Sequence, residues 1–264
     1  MGKAMKITAV GDMLIHRRIP YDSEGFQDVK QYISQGDAAF FNLETTLHTG
    51  GHWGNQFYGG SYLRADPRVL EDAEEYGFNM LSFANNHTLD YSYGGLLATL
   101  DAVNQAGFVH TGVGTNLDEA AAPAYLDTAN GRVALISVVS TMMNVAAMAG
   151  QQSRRVPGRP GVNGLRIDET IVVTPQQLAA IQEIVAMSSV NAKDDISRAE
   201  GYSLPVPEGQ VALKDLRFLQ GNETRYHTKP NAVDMARVEK AIYEAQMNAD
   251  FIIVSIHSHE VSGT

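Results

Sequence analysis

The chain has 264 residues, 44% of them hydrophobic, enough apolar material to fill the core of one large or two small domains. Its formal charge of -10 and lack of a dense Lys/Arg run argue against nucleic acid as a partner, because phosphate backbones demand a basic footprint. With no cysteine it has no disulfide framework, thiol nucleophile or thiolate metal site, so a bound metal must be held by oxygen and imidazole nitrogen.

The elements alternate strand and helix, the pattern of a largely parallel sheet. Residues Lys6 to Gly11 predict a first strand, Asp28 to Ser34 a short helix ending at Gly36, and Ala38 to Leu43 a second strand. An aromatic, glycine-rich excursion runs from Thr49 to Leu63, where Trp53, Phe57, Tyr58 and Tyr62 form either a groove wall or simple packing. Asp66-Pro67 opens a helix that Gly77 closes, and a third strand follows over Phe78 to Ala84. Helical spacing from Gly95 to Ala106 ends at Gly107, ahead of a fourth strand from Phe108 to Gly112.

Ala124 to Thr128 and Arg132 to Val139 flank Asn130-Gly131, a hairpin signal that adds an antiparallel pair. From about residue 140 to 230 prolines and glycines dominate, which predicts an irregular insertion bordering the site, apart from a helix from Thr174-Pro175 to about Met187. Asn231 to Asn248 reads as a helix and Asp250 to Ile256 as a strand. The chain stops at Thr264 without a covering helix, which predicts that part of the domain is missing at its C-terminal end. No apolar stretch approaches the roughly 18 residues that span a bilayer, and Met1 to Met5 hold no signal-like segment, so the chain as written reads as cytoplasmic.

Four of these strands end in side chains that hard or borderline cations favour. The first delivers Asp12, the second Glu44, the third Asn85, Asn86 and His87, and the last His257, His259 and Glu260. Parallel strands present their carboxyl ends along one rim, so the four endings predict a shared site suited to Zn, Mn or Fe. Asp90, three residues beyond His87, could fix its imidazole tautomer. Taken singly, Asp12 and Asn86 could cap helices or close turns, and Glu44 could be a solvated loop residue. His48, His52 and His227 read as exposed loop histidines and His110 as a rim or core residue. Arg154, Arg155, Arg159 and Arg166 form a basic cluster that either receives an anionic substrate or is a solvated loop.

Gly11-Asp12, Asn42-Leu43-Glu44, Ala84-Asn85-Asn86-His87-x-x-Asp90-Tyr91, His110-Thr111-Gly112-Val113-Gly114 and Val254-Ser255-Ile256-His257-x-x-Glu260 resemble successive motifs of the CapA family. That family is associated with poly-gamma-glutamate capsule synthesis and belongs to the calcineurin-like metallophosphoesterase superfamily. The resemblance implies a four-layer αββα sandwich with a dinuclear metal centre at the strand ends. It implies Asp12 on one metal, Glu44 as the bridge, Asn86 and His257 on the second metal, and His87 as catalytic proton donor. Two departures stand out. The superfamily's histidine after its first aspartate is replaced by Leu14, with His16 nearby, and its closing glycine-histidine-x-histidine segment is not reached before Thr264. A chain ending at Thr264 would leave the dinuclear site incomplete, so one weakly held divalent ion (Mn, Zn or Fe) or none is expected, against the two of a complete centre.

The resemblance implies a metal-dependent hydrolase of capsule synthesis, acting on a phosphoester or an amide-linked polyglutamate. The alternative is a non-catalytic component that binds the polymer or another capsule synthesis protein. Relatives are often anchored to the membrane and extracellular.

Overall fold

The structure, a computed structural model, describes residues 4–57 and 60–259; Tyr58 and Glu260 lie outside the described residues. In chain order the elements are β1 (Ile7–Met13), α1 (Phe26–Ile33), β2 (Ala38–Leu43), β3 (Thr46–Leu47), β4 (Arg64–Ala65), α2 (Val69–Tyr76), β5 (Met80–Ser82), α3 (Ser92–Ala106), β6 (Val109–Thr111), β7 (Val113–Gly114), α4 (Leu117–Ala121), β8 (Ala124–Thr128) and β9 (Gly131–Val139). They continue with β10 (Gly161–Val162), β11 (Ile167–Val173), α5 (Pro175–Met187), α6 (Ala192–Ala199), β12 (Gln210–Leu213), β13 (Leu216–Gln220), β14 (Arg225–Pro230), α7 (Ala232–Asn248) and β15 (Phe251–His257). The chain divides into two compact units: the first runs to Arg166 and resumes at Ala232, the second spans Ile167–Asn231.

In the first unit β1, β2, β5 and β6 form one parallel sheet in that order. A second sheet has the order β15-β9-β8, with β15 parallel to β9 and the Asn130-Gly131 hairpin joining β8 to β9. Side chains alternate along β2, so Ala39, Phe41 and Leu43 face one way and pack with Val69, Leu70, Leu96 and Val103 of α2 and α3. Ala38 and Phe40 face the other way, and with Met80 of β5 they meet Val133 and Leu135 of β9 and Ile253 of β15. That apolar layer glues sheet to sheet, each fully buried large side chain contributing about 1.5–3 kcal/mol. Helix α7 packs on β9 and β15 through Val238, Ala241 and Ala245, completing an α/β/β/α layering. The fold class is therefore the α/β sandwich expected of the CapA resemblance.

An irregularity in β1 sets the direction in which Asp12 points. Ile7 pairs with Ala38, but the register shifts between Ala9 and Asp12 so that Asp12 lies beside Asn42. In a parallel pair, neighbours share a face. Without the shift Asp12 would lie beside Leu43 and point at the helices, since a one-residue slip reverses every side chain.

Two expectations need correcting. The shared rim was expected on one sheet, whereas His257 ends β15 of the second sheet. The stretch from 140 to 230 is irregular only as far as Arg166. Beyond it the second unit has a sheet of order β12-β13-β11-β14 with α5 packed through Leu178 onto Val173 and Phe218. Helix α5 starts as expected, with Thr174 and Gln177 forming a capping box ahead of Pro175. The strand signal there is weak because β11, β13 and β14 carry charge among their apolar positions and β12 is only four residues long.

Asp234 anchors the irregular segment of the first unit to α7. Its carboxylate, 1% exposed, accepts from the Arg166 backbone at 3.0 Å, from Arg166 Nε at 2.7 Å and from Arg237 Nη1 at 3.0 Å. Burial raises the carboxyl's pKa, but the arginine hydrogen bonds outweigh it and hold it below the ordinary value. Asp234→Asn should cost about 2–3 kcal/mol at neutral pH, allowing for the partial exposure of Arg166. Because the folded carboxyl has the lower pKa, that stabilisation is present above the unfolded value of 3.8 and is lost as the pH falls through the folded one. Urea unfolding of both proteins at pH 7 and pH 3 should show the gap between them narrowing in acid.

Candidate metal centre

His257 is the hub of the strand ends. Its Nε2 lies 2.7 Å from Asn86 Oδ1 and 3.5 Å from Glu44 Oε1, and its Nδ1 lies 3.4 Å from Asp12 Oδ1. The structure thus brings together Asp12 at the end of β1, Glu44 just past β2, Asn86 past β5 and His257 at the end of β15. Their convergence follows from face parity. Asn42 and Glu44 continue the face of Ala38 and Phe40, and His257 continues that of Ile253, so both series meet between the sheets. Glu44 and His257 are nearly buried, each with 7% of its side chain exposed, while Asp12 is 44% exposed and forms the open side.

Asn42, not singled out as a site residue in the sequence, frames this cluster together with Asn85. Asn42 Nδ2 donates to Asp12 Oδ1 at 2.7 Å and lies 3.2 Å from His257 Nδ1. Because an amide NH2 can only donate, His257 Nδ1 accepts, which leaves its proton on Nε2 facing Asn86 Oδ1. Asn42 Oδ1 in turn accepts from Asn85 Nδ2 at 3.2 Å and from Ser82 Oγ at 3.3 Å. The usable signal was spacing: Asn42 precedes Glu44 by two residues on a strand and must share its face.

Beside this hub stands the pair His87 and Asp90. His87 Nδ1 is 2.8 Å from Asp90 Oδ2, and the same carboxylate oxygen accepts from the Leu63 backbone at 2.7 Å. The glycine-rich excursion is therefore tied to the pair, and Asn55 N reinforces it by donating to the Asp90 carbonyl at 2.7 Å. Burial disfavours the His87 imidazolium, but the Asp90 hydrogen bond and charge, with Glu44 and the Ser61 carbonyl, prevail and raise its pKa. His87 Nε2 faces Glu44 Oε1 at 3.8 Å.

Burial first, and then the adjacent Asp12 carboxyl, push the Glu44 carboxyl up to about 7. Burial also lowers the His257 pKa, with the charges of His259 and His87 acting in the same sense and Asp12 opposing. Two carboxyls and neutral imidazole held this close suit a cation in place of protons. His259 extends the donor set: with Glu44 and His257 it can offer ligand atoms all within 4.8 Å of one another. Oxygen and imidazole donors of this kind match Zn, Mn or Fe.

Other candidates fall elsewhere. His16 is exposed and outside the described cluster. Arg159 donates to the Met148 carbonyl at 3.0 Å and Arg166 is engaged by Asp234, while Arg154 and Arg155 are exposed. His227 is exposed on β14, and His110 lies 3.0 Å from Asn104 Oδ1 through Nε2. His48, expected in solvent, is buried against His52 and Tyr91, and its pKa is lowered to about 4 by burial and then by the charges of His52 and Arg64. Trp53 is exposed, and Tyr62 packs on Tyr91. No helix among the described residues is long and apolar enough to cross a membrane.

Comparison with known proteins supports the resemblance. The chain is 29% identical to each of two Sinorhizobium fredii proteins, named uncharacterized proteins y4sH and y4uA, over 96% of its own length and 54% of theirs. It is 24% identical to the capsule biosynthesis protein CapA of Bacillus anthracis, over 60% of its own length and 40% of that protein. The chain thus spans about half the length of the first curated relatives it matches. A model of the bacterial capsule synthesis protein family PGA_cap, which lies within the metallophosphoesterase-like superfamily, matches residues 6–263, and with that span and the motifs above this chain belongs to the PGA_cap family.

Proposed function

We propose that this chain is a metal-dependent hydrolase of capsule synthesis with a phosphoesterase-type site. The observation that carries the reading is the hub: one imidazole, His257, within 3.5 Å of Asp12, Glu44 and Asn86, next to a buried His87–Asp90 pair. Asp12, Glu44, Asn86 and His257, with His259, would hold one or two divalent ions. When bound, such ions supply positive charge that stabilises the phosphoryl oxygens as they gain charge.

The protein's own groups do the rest. Asp90 accepts from His87 Nδ1 and thereby turns Nε2 toward Glu44 and the reacting centre. With its pKa raised, His87 carries a proton on Nε2 and can deliver it to the departing oxygen. Asp90 is a positioning residue in this scheme, since it faces the imidazole and the Leu63 backbone. The bond cleaved is a phosphoester, with the gamma-linked amide of polyglutamate as the other candidate for the same centre.

Metal removal and return is the first test. Chelator-treated protein should gain about 2.7 kcal/mol of stability at a Mn²⁺ concentration near 100 Kd, read as a rise in Tm. Glu44→Gln and Asn86→Ala should remove most of that gain. The second test is turnover: Mn²⁺ should stimulate hydrolysis of bis-p-nitrophenyl phosphate, and His87→Ala should lower kcat by about 10²- to 10⁴-fold. Metal content by elemental analysis should stay the same in that variant. Polymer binding that ignores chelator, with no turnover, would support the non-catalytic reading instead.

A further inference from the structure

A cavity of about 270 Å³ opens beside the candidate centre, lined by Asn55, Phe57, Leu89, Ser92, Tyr93 and Asn144 among others. A smaller space of about 10 Å³ shares Phe57, Leu89, Asn144 and Ala147 with it and is also lined by Asn85 and Asn86, so the cavity lies next to the strand ends. Among the described residues lining either space there is no charged side chain. That is a poor receptacle for a polyanion, which would meet no cation there.

The polar groups in the wall are oriented. Asn144 Oδ1 accepts from Ala146 N at 2.7 Å, capping a short 3-10 turn, and Asn55 Oδ1 accepts from Phe57 N at 3.1 Å. Each amide oxygen thus accepts one backbone N–H, which fixes the side chain and leaves its NH2 as a two-hydrogen donor. Phe57 and Tyr93 are both partly exposed, offering aromatic surface to the same cavity. Ser92 lies in the left-handed region at φ 56, a conformation costing on the order of 1–2 kcal/mol that places it on the cavity wall.

We propose that this cavity binds an uncharged sugar residue of the substrate, whose other end carries the group that reaches Asn86. Amide donors meet ring and hydroxyl oxygens, and aromatic surface covers the apolar face of the ring. The inference rests on the hydrolase reading only for which end of the substrate reacts.

The test is saturation-transfer NMR with methyl α-glucopyranoside, N-acetylglucosamine and the dipeptide γ-Glu-Glu, in chelator so that metal plays no part. Transfer to sugar ring protons is expected in the unaltered protein. Asn144→Ser keeps a capping oxygen for Ala146 N but removes the two amide N–H donors and shortens the side chain, and should weaken sugar binding about tenfold, as should Phe57→Ala. Absence of transfer to either sugar, or transfer to γ-Glu-Glu that depends on Asn144, overturns the proposal. Sugar binding without any phosphoester turnover would leave the cavity assignment standing and remove the hydrolase reading, whereas turnover without sugar binding would do the reverse.

Discussion

The candidate centre depends on one face shared by two sheets. Along β2 that face reads Ala38, Phe40, Asn42 and then Glu44; on β5 it reads Met80 and Ser82, on β9 Val133, Leu135 and Ser137, and on β15 Ile253, Ser255 and His257. On β2 and β15 the face passes from apolar to polar to functional, and on β5 and β9 it passes from apolar to Ser82 and Ser137. The apolar end excludes water and holds the sheets together, and the polar end is brought to hydrogen-bonding distance as a result. Ser82 and Ser255 mark the transition, with hydroxyl oxygens 3.3 Å apart.

Gathering carboxylates and imidazoles in a partly buried place is costly unless the groups satisfy one another or hold a cation. Amides answer part of that cost. Asn42 and Asn85 carry no charge, yet between them they contact Asp12, His257, Ser82 and the Leu43 carbonyl. What they leave uncompensated shows in Glu44, whose carboxyl holds its proton to about 7. The same environment that disfavours the bare carboxylate favours a divalent cation beside it.

The second layer of support is not strand at all. The described residues between β3 and β4 form no regular element, but their backbone donors at Asn55 and Leu63 close on Asp90. Asp90, fully buried, joins His87 to that loop, so the orientation of the imidazole and the placement of the loop are one constraint. Phe57 and Asn55 in the same loop then line the adjoining cavity.

The strands β1, β2, β5, β6, β8, β9 and β15, the helices α1, α2, α3 and α7, the hairpin at Asn130-Gly131 and the four metal-favouring endings were legible from period and end signals alone, because those are local properties, whereas the short β3, β4, β7, β10 and α4 left no such signal. Local pattern also carried Asn42, through its two-residue spacing from Glu44. Which sheet each ending belongs to was not local: His257 reaches Asp12 only because β15 pairs with β9 in a second sheet packed on the first. The register shift in β1 that turns Asp12 to the inner face, the burial of His48, and the capture of Arg166 by Asp234 were likewise decided in three dimensions. Residue types and their period follow from the chain, whereas pairing register and long-range partners follow from packing, where one residue of slip reverses a face.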